Sequence, residues 1–378
     1  MQPRSFKPLA GFSVLDLSRL YPGPLCSLVL AHLGAEVVKV EDPQGGDYMR
    51  WWPPLVEGLG AAFHALNRGK KSVTLDLKTP ADRAAFLSLC KGADGVLESF
   101  RPGVLERLGV GYDALVAANP RVVLCSISGY GQRGPRSGEA GHDINFMAIA
   151  GVLHTTGVRG GAPVVPGFQA TDFLTGMYAA TGLAAALPEA RASGRPRWLD
   201  VAMADVALSL GMLDVASSSA AGADRARGRN LLNGGAPIYG IYETSDGAYF
   251  AVGAIEEKFH VELLERLYVP RELKEDALTP GGRLEKALRA AFGNRTRAEI
   301  EAIFAGTDAL VSPILRPTEA AALPLFLERG MLDASAAPGI PIPLVPLSET
   351  GLNPGALGPA PKLGEHNDEI LGRLKAEG

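Results

Sequence analysis

The sequence predicts an α/β fold with a large doubly wound, Rossmann-like domain and a smaller α+β domain. Over residues 12–128, short apolar runs alternate with helix-like segments, which is typical of parallel strands joined by crossover helices. From Pro237 the pattern changes to an alternating hairpin followed by helices, which indicates a second unit. A length of 378 residues is also suited to two domains.

The large domain begins with a strand, a turn and a helix. Residues 12–17 are predicted as a buried strand that ends at Pro22-Gly23-Pro24, and the helix at 25–33 stops at Gly34. The strand at 36–40 completes a β-turn-α-β unit. The same pattern then predicts strands at 72–76, 95–98 and 121–128, and a helix at 80–91.

The second half of the chain is predicted to be more helical. The Ala- and Gly-rich segment at 173–187 is predicted to form a buried packing helix. A hairpin turn is expected at Ser245-Asp246-Gly247. The predicted helices are at 173–187, 201–221, 256–267, 281–292, 296–305 and 366–375, the hairpin strands are at 238–243 and 249–252, and 338–361 is an irregular return segment. We therefore expect a large domain from 1–200 with 325–378, a linker helix and connector at 201–237, and a small domain at 238–320.

Composition excludes several classes of protein. Hydrophobic residues make up 47% and charged residues 21%, which suits a soluble globular protein. A net charge of −4 argues against a nucleic-acid binder, and no apolar run approaches the ~20 residues that cross a bilayer. The cysteines, Cys26, Cys90 and Cys125, are odd in number and lack metal-ligand spacing. With no signal-like N-terminal segment, we expect a cytoplasmic protein without a metal.

One motif matches a dinucleotide-binding pattern but lacks the structural context that the pattern requires. The glycines of Gly129-Tyr130-Gly131-Gln132-Arg133-Gly134 match the dinucleotide pattern G-x-G-x-x-G. That pattern requires its last glycine to open a helix, whereas Pro135 and further glycines follow here. A loop is therefore the better interpretation.

Three separated segments carry candidate catalytic groups: GHDIN with His142, ATDF with Asp172, and GAIE with Glu256. A histidine titrates near neutral pH and suits proton transfer, although a loop histidine that caps a helix is an alternative. Asp172 suits a base or a nucleophile, and an N-cap is compatible with either role. Glu256 suits a partner that orients His142, or a first-turn acid. Amides at the helix start near Asp172 are expected to hold a developing oxyanion.

Long stretches resemble the family III CoA-transferase (CaiB/BaiF) superfamily. They are GFSVLDLSRLYPGPLCSLVLAHLGAEVVKVEDPQGGDYMR, NRGKKSVTLDLKTP and ESFRPGVLERLGVGYDAL, together with the three middle segments. The resemblance implies that Arg101 and Arg107 lie near the CoA phosphates and that Leu75 and Phe100 border the nucleotide. The wider cluster of Arg68, Lys70 and Lys71 adds positive charge suited to phosphates.

Within that superfamily the middle segments are similar to the α-methylacyl-CoA racemase branch. The resemblance implies that His142 and Asp172 exchange the α-proton of a 2-methylacyl-CoA and that Glu256 hydrogen-bonds the histidine. CoA is then part of the substrate and no separate cofactor is needed. Relatives form interlocked homodimers, so a homodimer is expected. Two alternatives stay open: a CoA transferase with an acyl anhydride on Asp172, and a non-catalytic acyl-CoA binding protein.

Overall fold

The computed structural model describes residues 6–348 and 355–376. Within these residues the chain forms two compact units. The larger unit comprises the described parts of Met1–Ile149, Phe168–Ser209 and Ala321–Gly378, and the smaller comprises Ala150–Gly167 and Leu210–Ala320.

The elements in chain order are as follows. The strands are β1 Ser13–Asp16, β2 Glu36–Glu41, β3 Leu55–Val56, β4 Leu59–Gly60, β5 Lys71–Thr74, β6 Gly95–Glu98, β7 Val123–Ser128, β8 Arg197–Ala202, β9 Tyr239–Glu243, β10 Tyr249–Gly253, β11 Val311–Pro313, β12 Leu332–Asp333 and β13 Ile342–Pro343. The helices are α1 Pro22–His32, α2 Ala61–Asn67, α3 Pro80–Gly92, α4 Val104–Arg107, α5 Tyr112–Ala118, α6 Asp143–Ile149, α7 Val152–Thr155, α8 Ala170–Ser193, α9 Met203–Leu210, α10 Met212–Ala221, α11 Glu257–Arg266, α12 Arg283–Gly293, α13 Arg297–Phe304, α14 Pro317–Ala321, α15 Pro324–Glu328 and α16 Asn367–Ala376. Short 3₁₀ helices lie at Tyr48–Arg50, Leu231–Asn233 and Arg271–Asp276.

A six-stranded parallel sheet organises the larger unit. Its strand order is β5-β2-β1-β6-β7-β8, and each neighbouring pair is parallel. This is the classic doubly wound order, and the direction of winding reverses between β1 and β6. In such sheets ligands bind beyond the carboxyl ends of the strands at the reversal. The predicted fold class is confirmed, and the strand order indicates where to look for a ligand site.

Helices cover both faces of this sheet, which explains the unbroken apolar runs of its central strands. On one face α1 and α8 form a core that includes Leu30, Ala179 and Leu183. On the other face the core includes Phe86 of α3 and Leu115 of α5. The Ala- and Gly-rich helix predicted near Phe173 is α8, which begins three residues earlier.

Helices α1 and α8 cross at very short range at Gly176. A Cβ atom built at Gly176 would lie 2.7 Å from the backbone oxygen of Pro22 and 2.9 Å from Leu25 Cδ2. A backbone oxygen cannot move aside as a side-chain tip can, so the position requires glycine. The crossing places the first turn of α1 against the first turns of α8.

The smaller unit contains an antiparallel three-stranded sheet in the order β11-β10-β9. The predicted hairpin and the three helices after it are present as β9, β10, α11, α12 and α13. The rings of Tyr242 and Phe292 stack with centroids 5.1 Å apart in the core of this unit. Phe250 packs beside them.

Two sequence-based expectations differ from the structure or lie partly outside it, and a third is confirmed. The single helix predicted at 201–221 is wrong: residues 201–202 end β8, and Gly211 separates α9 from α10. The irregular segment 338–361 contains the short strand β13, and residues 349–354 of it lie outside the described residues. The loop interpretation of 129–134 is confirmed. Within the described residues, no helix combines the length and apolar character needed to span a membrane.

Candidate active site

The loop between β1 and α1 lies at the point where the sheet reverses its winding. Leu20 in this loop has a φ of 66°, which is unusual for a residue with a branched side chain. The backbone N–H of Leu20 donates to Asp47 Oδ1 at 3.1 Å, and that of Arg19 donates to Ser99 Oγ at 3.2 Å. Lys39 Nζ donates to the carbonyl of Ser18 at 2.8 Å. A strained backbone conformation that surrounding side chains hold in place is typical of functional loops.

Buried charges beneath this loop hold it in place. Lys39 Nζ lies 3.0 Å from Asp47 Oδ2, and Lys70 Nζ lies 3.5 Å from Asp16 Oδ2, with all four side chains fully buried. Lys70 also donates to the carbonyl of Pro24 at 2.9 Å. Burial lowers the pKa of Lys70 to about 7, against the attraction of Asp16. The cluster joins β1, β2 and the start of α1 into one support.

Arg68, Lys70 and Lys71, expected to add positive charge for phosphates, bind groups within the protein instead, which corrects that expectation. Lys70 is buried in the cluster described above. Arg68 is 1% exposed and donates to the carbonyls of Ala65 at 2.7 Å and Pro343 at 2.8 Å. Lys71 Nζ lies 2.9 Å from Glu36 Oε1 and 2.8 Å from Glu369 Oε1. A phosphate would have to displace existing partners at each position.

Two other predicted CoA residues do lie at the reversal point. Phe100 and Arg101 lie in the turn after β6, separated from the strand by Ser99, and the backbone N–H of Phe100 donates to Glu98 Oε2 at 2.7 Å. Arg101 is exposed, as is Arg107 at the end of α4. The Arg19 guanidinium lies 5.5 Å from the Tyr48 ring centroid and 5.9 Å from that of Phe100. Cations and aromatic faces therefore meet at this edge of the sheet.

Glu98 at the end of β6 is a buried carboxyl beside these residues. Burial raises the pKa of Glu98 to about 7. Its carboxyl holds the turn that carries Phe100 and Arg101. Glu98 lines a small cavity together with Arg101, Ser126 and Trp198.

Leu75 follows the edge strand β5 and is 4% exposed. Its side chain packs in the core with Val40, Val73 and Phe86. Only its backbone can therefore border a ligand, and its predicted place beside the nucleotide stays a prediction.

His142 and Asp172 are joined through Asp143. His142 is exposed directly before α6, and its backbone N–H donates to Asn145 Oδ1 at 3.0 Å. Asp143 Oδ1 accepts from the backbone N–H groups of Thr171 at 2.7 Å and Asp172 at 3.1 Å. A carboxylate at a helix N-terminus is favourable, so Asp143 fastens the start of α6 to the start of α8.

This arrangement corrects two expectations about the start of α8. Gln169 occupies the N-cap position, and the capping oxygen comes from Asp143 rather than from Asp172. The amides of Thr171 and Asp172 are therefore occupied. They cannot also serve as the oxyanion site expected from the sequence.

The Asp172 side chain is left free to react. Burial, followed by the nearby charge of Asp143, raises the pKa of Asp172 to about 6. A carboxyl group with this pKa has sizeable protonated and ionised fractions near neutral pH. It can therefore both accept and donate a proton.

Glu256 lies in the smaller unit. It is the N-cap residue of α11 by position, but its side chain makes no capping hydrogen bond and is exposed. The neighbouring Glu257 forms an ion pair with Lys274 at 2.7 Å. The Glu256 carboxylate therefore remains available, and its predicted role toward His142 stays a prediction.

The large side chains of α6 and α8 near His142 and Asp172 divide into core and surface. Phe146 and Met147 are buried at 1% and 2% exposure, and Phe146 packs edge-on against Tyr130. Met177 is half-buried, and Tyr178 is exposed on α8. His154 is exposed and lines a cavity between α7 and α10.

Sequence reasoning missed Arg19 and Tyr21. Both lie in the loop after β1, and the end of a first Rossmann strand is a signal that could have drawn attention to them. Tyr21 is half-buried. Burial, then the charges of Asp172 and Asp143, raises the pKa of Tyr21.

The candidate site thus combines a doubly wound sheet, cations and aromatic rings at its reversal point, and a histidine and a carboxyl at the starts of α6 and α8. Residues 9–367 match the model of CoA-transferase family III, and the chain belongs to that family.

Relatives with different activities are similar over nearly the whole chain. The chain is 36% identical to the alpha-methylacyl-CoA racemase of Homo sapiens, over 96% of this chain and 92% of that protein. It is 31% identical to the succinate–glutarate CoA-transferase of Agrobacterium fabrum, over 99% of this chain and 97% of that protein. A crystal structure of a CaiB/BaiF family protein from Brucella suis superposes with a TM-score of 0.86 at 30% identity, covering 97% of this chain and 99% of that one.

Proposed function

We propose that this enzyme is an acyl-CoA racemase that exchanges the α-proton of 2-methylacyl-CoA thioesters. The observation that carries the proposal is the link of His142 through Asp143 to Asp172. An imidazole and a carboxyl whose pKa is raised to about 6 are thereby fastened to neighbouring helix starts. Inversion at a carbon needs such a pair, one group for each face.

In the proposed reaction one of these groups takes the proton from C2 of the acyl chain. The C–H electron pair moves into the C1–C2 bond, and negative charge develops on the thioester oxygen. The other group, in its protonated form, returns a proton to the opposite face of C2. Asp172, with a pKa of about 6, can begin in either form, which suits a reaction that runs in both directions.

CoA enters as part of the substrate, and the reversal point of the sheet supports a site for its nucleotide. Arg101 is exposed there, and the Arg19 guanidinium lies 5.5 Å and 5.9 Å from the ring centroids of Tyr48 and Phe100. Guanidinium groups suit phosphates, and aromatic rings suit an adenine. These residues support the predicted roles of Phe100 and Arg101, with Arg107 nearby on α4.

We further propose a homodimer in which Glu256 of a second copy orients His142. Glu256 is exposed, and the smaller unit exposes the apolar side chains of Met212, Leu213 and Val215, at 63%, 77% and 48%. Exposed apolar residues at this density favour an interface between proteins.

Deuterium exchange tests the reaction. Purified enzyme is incubated in D₂O with a single-epimer 2-methylacyl-CoA, and C2 is followed by NMR and chiral analysis. Deuterium at C2 with loss of stereochemical purity is expected. His142→Ala should lose inversion at C2, and full racemisation by that variant would refute the assignment.

Co-expression of two inactive variants tests the shared site. A dimer of one His142→Ala chain and one Glu256→Ala chain contains one intact site only if His142 and Glu256 meet between chains. Recovery of activity in the purified mixed dimer is expected. No recovery would refute the shared site and leave the two residues with separate roles.

The second candidate is a family III CoA transferase, favoured by the free carboxyl of Asp172 and by transferases among the similar proteins. Asp172 would then attack the thioester and form an acyl anhydride. Wild-type enzyme that exchanges no deuterium but moves CoA to free carboxylic acids would support it. Hydroxylamine trapping at Asp172 would identify the covalent intermediate.

A further inference from the structure

Tyr21 is a polar side chain beside Asp172 that the mechanism above does not use. It is the last residue of the strained loop after β1 and directly precedes α1. The first turn of α1 contacts α8 at Gly176, where a Cβ atom would lie 2.7 Å from the Pro22 oxygen. Asp172 lies four residues before Gly176, hence on the same face of α8. Tyr21 and Asp172 therefore border the same space.

The Tyr21 hydroxyl is not needed for the fold. Tyr21 occupies the N-cap position of α1, but its side chain makes no capping hydrogen bond. In the described part of the chain, no protein group forms a hydrogen bond with this hydroxyl. The hydroxyl oxygen is not buried, so it contacts solvent. The loop around it is pinned through the backbones of Ser18, Arg19 and Leu20. A pinned loop thus presents an uncommitted donor.

The reaction requires a donor that the sequence-based expectation misplaced. Charge develops on the thioester oxygen when C2 loses its proton, and enzymes place hydrogen-bond donors where such charge appears. Asp143 already occupies the amides of Thr171 and Asp172. A phenol beside two carboxylates keeps its proton and remains a donor.

We propose that the Tyr21 hydroxyl donates a hydrogen bond to the thioester carbonyl oxygen of the bound acyl-CoA and stabilises the oxyanion formed there. The proton stays on Tyr21 while Asp172 and His142 exchange protons with C2. This inference rests on the proposed acyl-CoA substrate. It does not depend on which reaction follows, because acyl transfer places negative charge on the same oxygen.

The test uses Tyr21→Phe, which keeps the ring and removes only the hydroxyl. The probe is 2-methylpropanoyl-CoA labelled with ¹³C at C1, bound at saturating concentration. A hydrogen bond to a carbonyl moves its ¹³C resonance downfield. The matched control is Tyr268→Phe, which removes a hydroxyl from a side chain that is 88% exposed in the smaller unit.

The wild type and the control are expected to show the downfield shift, and Tyr21→Phe should lose most of it. The kcat for exchange should fall about 100-fold, as when one oxyanion donor is removed, with KM changed less than about threefold. An unchanged carbonyl shift in Tyr21→Phe would overturn the inference. So would a variant that no longer binds the thioester, since the bond is proposed to strengthen as charge develops.

Failure of the proposed racemase and failure of this inference give different results. Wild-type enzyme without deuterium exchange would refute the racemase. The carbonyl shift would still decide the role of Tyr21, and its rate effect would then be measured on acyl transfer.

Discussion

Replacing Asp172 with Asn should abolish activity and stabilise the protein near neutral pH. The pKa of Asp172 is raised from 3.8 to about 6, chiefly by burial, so the folded state disfavours the ionised carboxylate. Stability associated with the protonated form is full below pH 3.8 and is lost as pH rises through 6. At about 1.4 kcal/mol per pKa unit, the cost above pH 7 is at most roughly 3 kcal/mol.

Thermal denaturation of wild type and variant across a pH series measures this cost. Unfolding entropy of about 2.1 cal/mol/K per residue turns roughly 3 kcal/mol into a gain of about 4 °C in Tm for a chain of this length. The gain should be small at pH 4 and complete by pH 7.5. Asp113→Asn is the control, because Asp113 is an exposed acid in the first turn of α5.

Two results would refute the stability argument, and a third would refute the catalytic role. A variant no more stable than wild type at pH 7.5 would show that the buried carboxylate carries no cost. An equal gain at pH 4 and pH 7.5 would show that the gain comes from the amide side chain rather than from removing a charge. Retained activity in the folded variant would refute the catalytic role.

Three further predictions concern the neighbours of this carboxyl. Asp143→Asn keeps an oxygen that can cap α8 but removes a charge that raises the pKa of Asp172. The acid limb of the pH profile of kcat/KM should therefore move to lower pH. An unmoved limb would contradict the electrostatic effect of Asp143 on Asp172. Gly176→Ala should cost about 1–3 kcal/mol by overpacking at the α1 crossing, measured by denaturation. Gly182→Ala on the same helix, where a Cβ atom would lie 3.3 Å from the movable Leu199 Cδ1, should be neutral or stabilising, and equal losses at the two sites would contradict the crossing argument. Arg101→Met should raise KM for acyl-CoA about tenfold in steady-state kinetics. The control Arg121→Met, which lies just before the amino end of β7, should leave KM unchanged. An equal rise of KM in the two variants would show that Arg101 does not bind the phosphates.

Much of the fold was predictable because the central strands are buried on both faces. Continuous apolar runs identified β1, β2, β6 and β7. Strand β8 was missed because alternate residues of Arg197–Ala202 are exposed, so the segment lacks such a run. Gly211 breaks a helix pattern that periodicity alone would continue through it.

The sequence predicted which side chains form the candidate site but not the hydrogen bonds and ion pairs that link them. Motifs around His142, Asp172 and Glu256 identified reactive side chains. Asp143 caps a helix that begins 27 residues later. Sequence patterns for helix caps concern only residues next to the helix, so they do not predict a cap from that distance. Lys70 looked like a surface cation because burial of a lysine depends on partners, Asp16 among them, that are remote in sequence.

The bond of Asp143 to the start of α8 also bears on how one scaffold can host two chemistries. Asp172 is held through its backbone by Asp143, and the His142 side chain takes no part in that attachment. Loss or gain of the imidazole would therefore leave the carboxyl in position. A scaffold of this kind keeps a positioned carboxyl nucleophile whether or not a proton donor stands beside it.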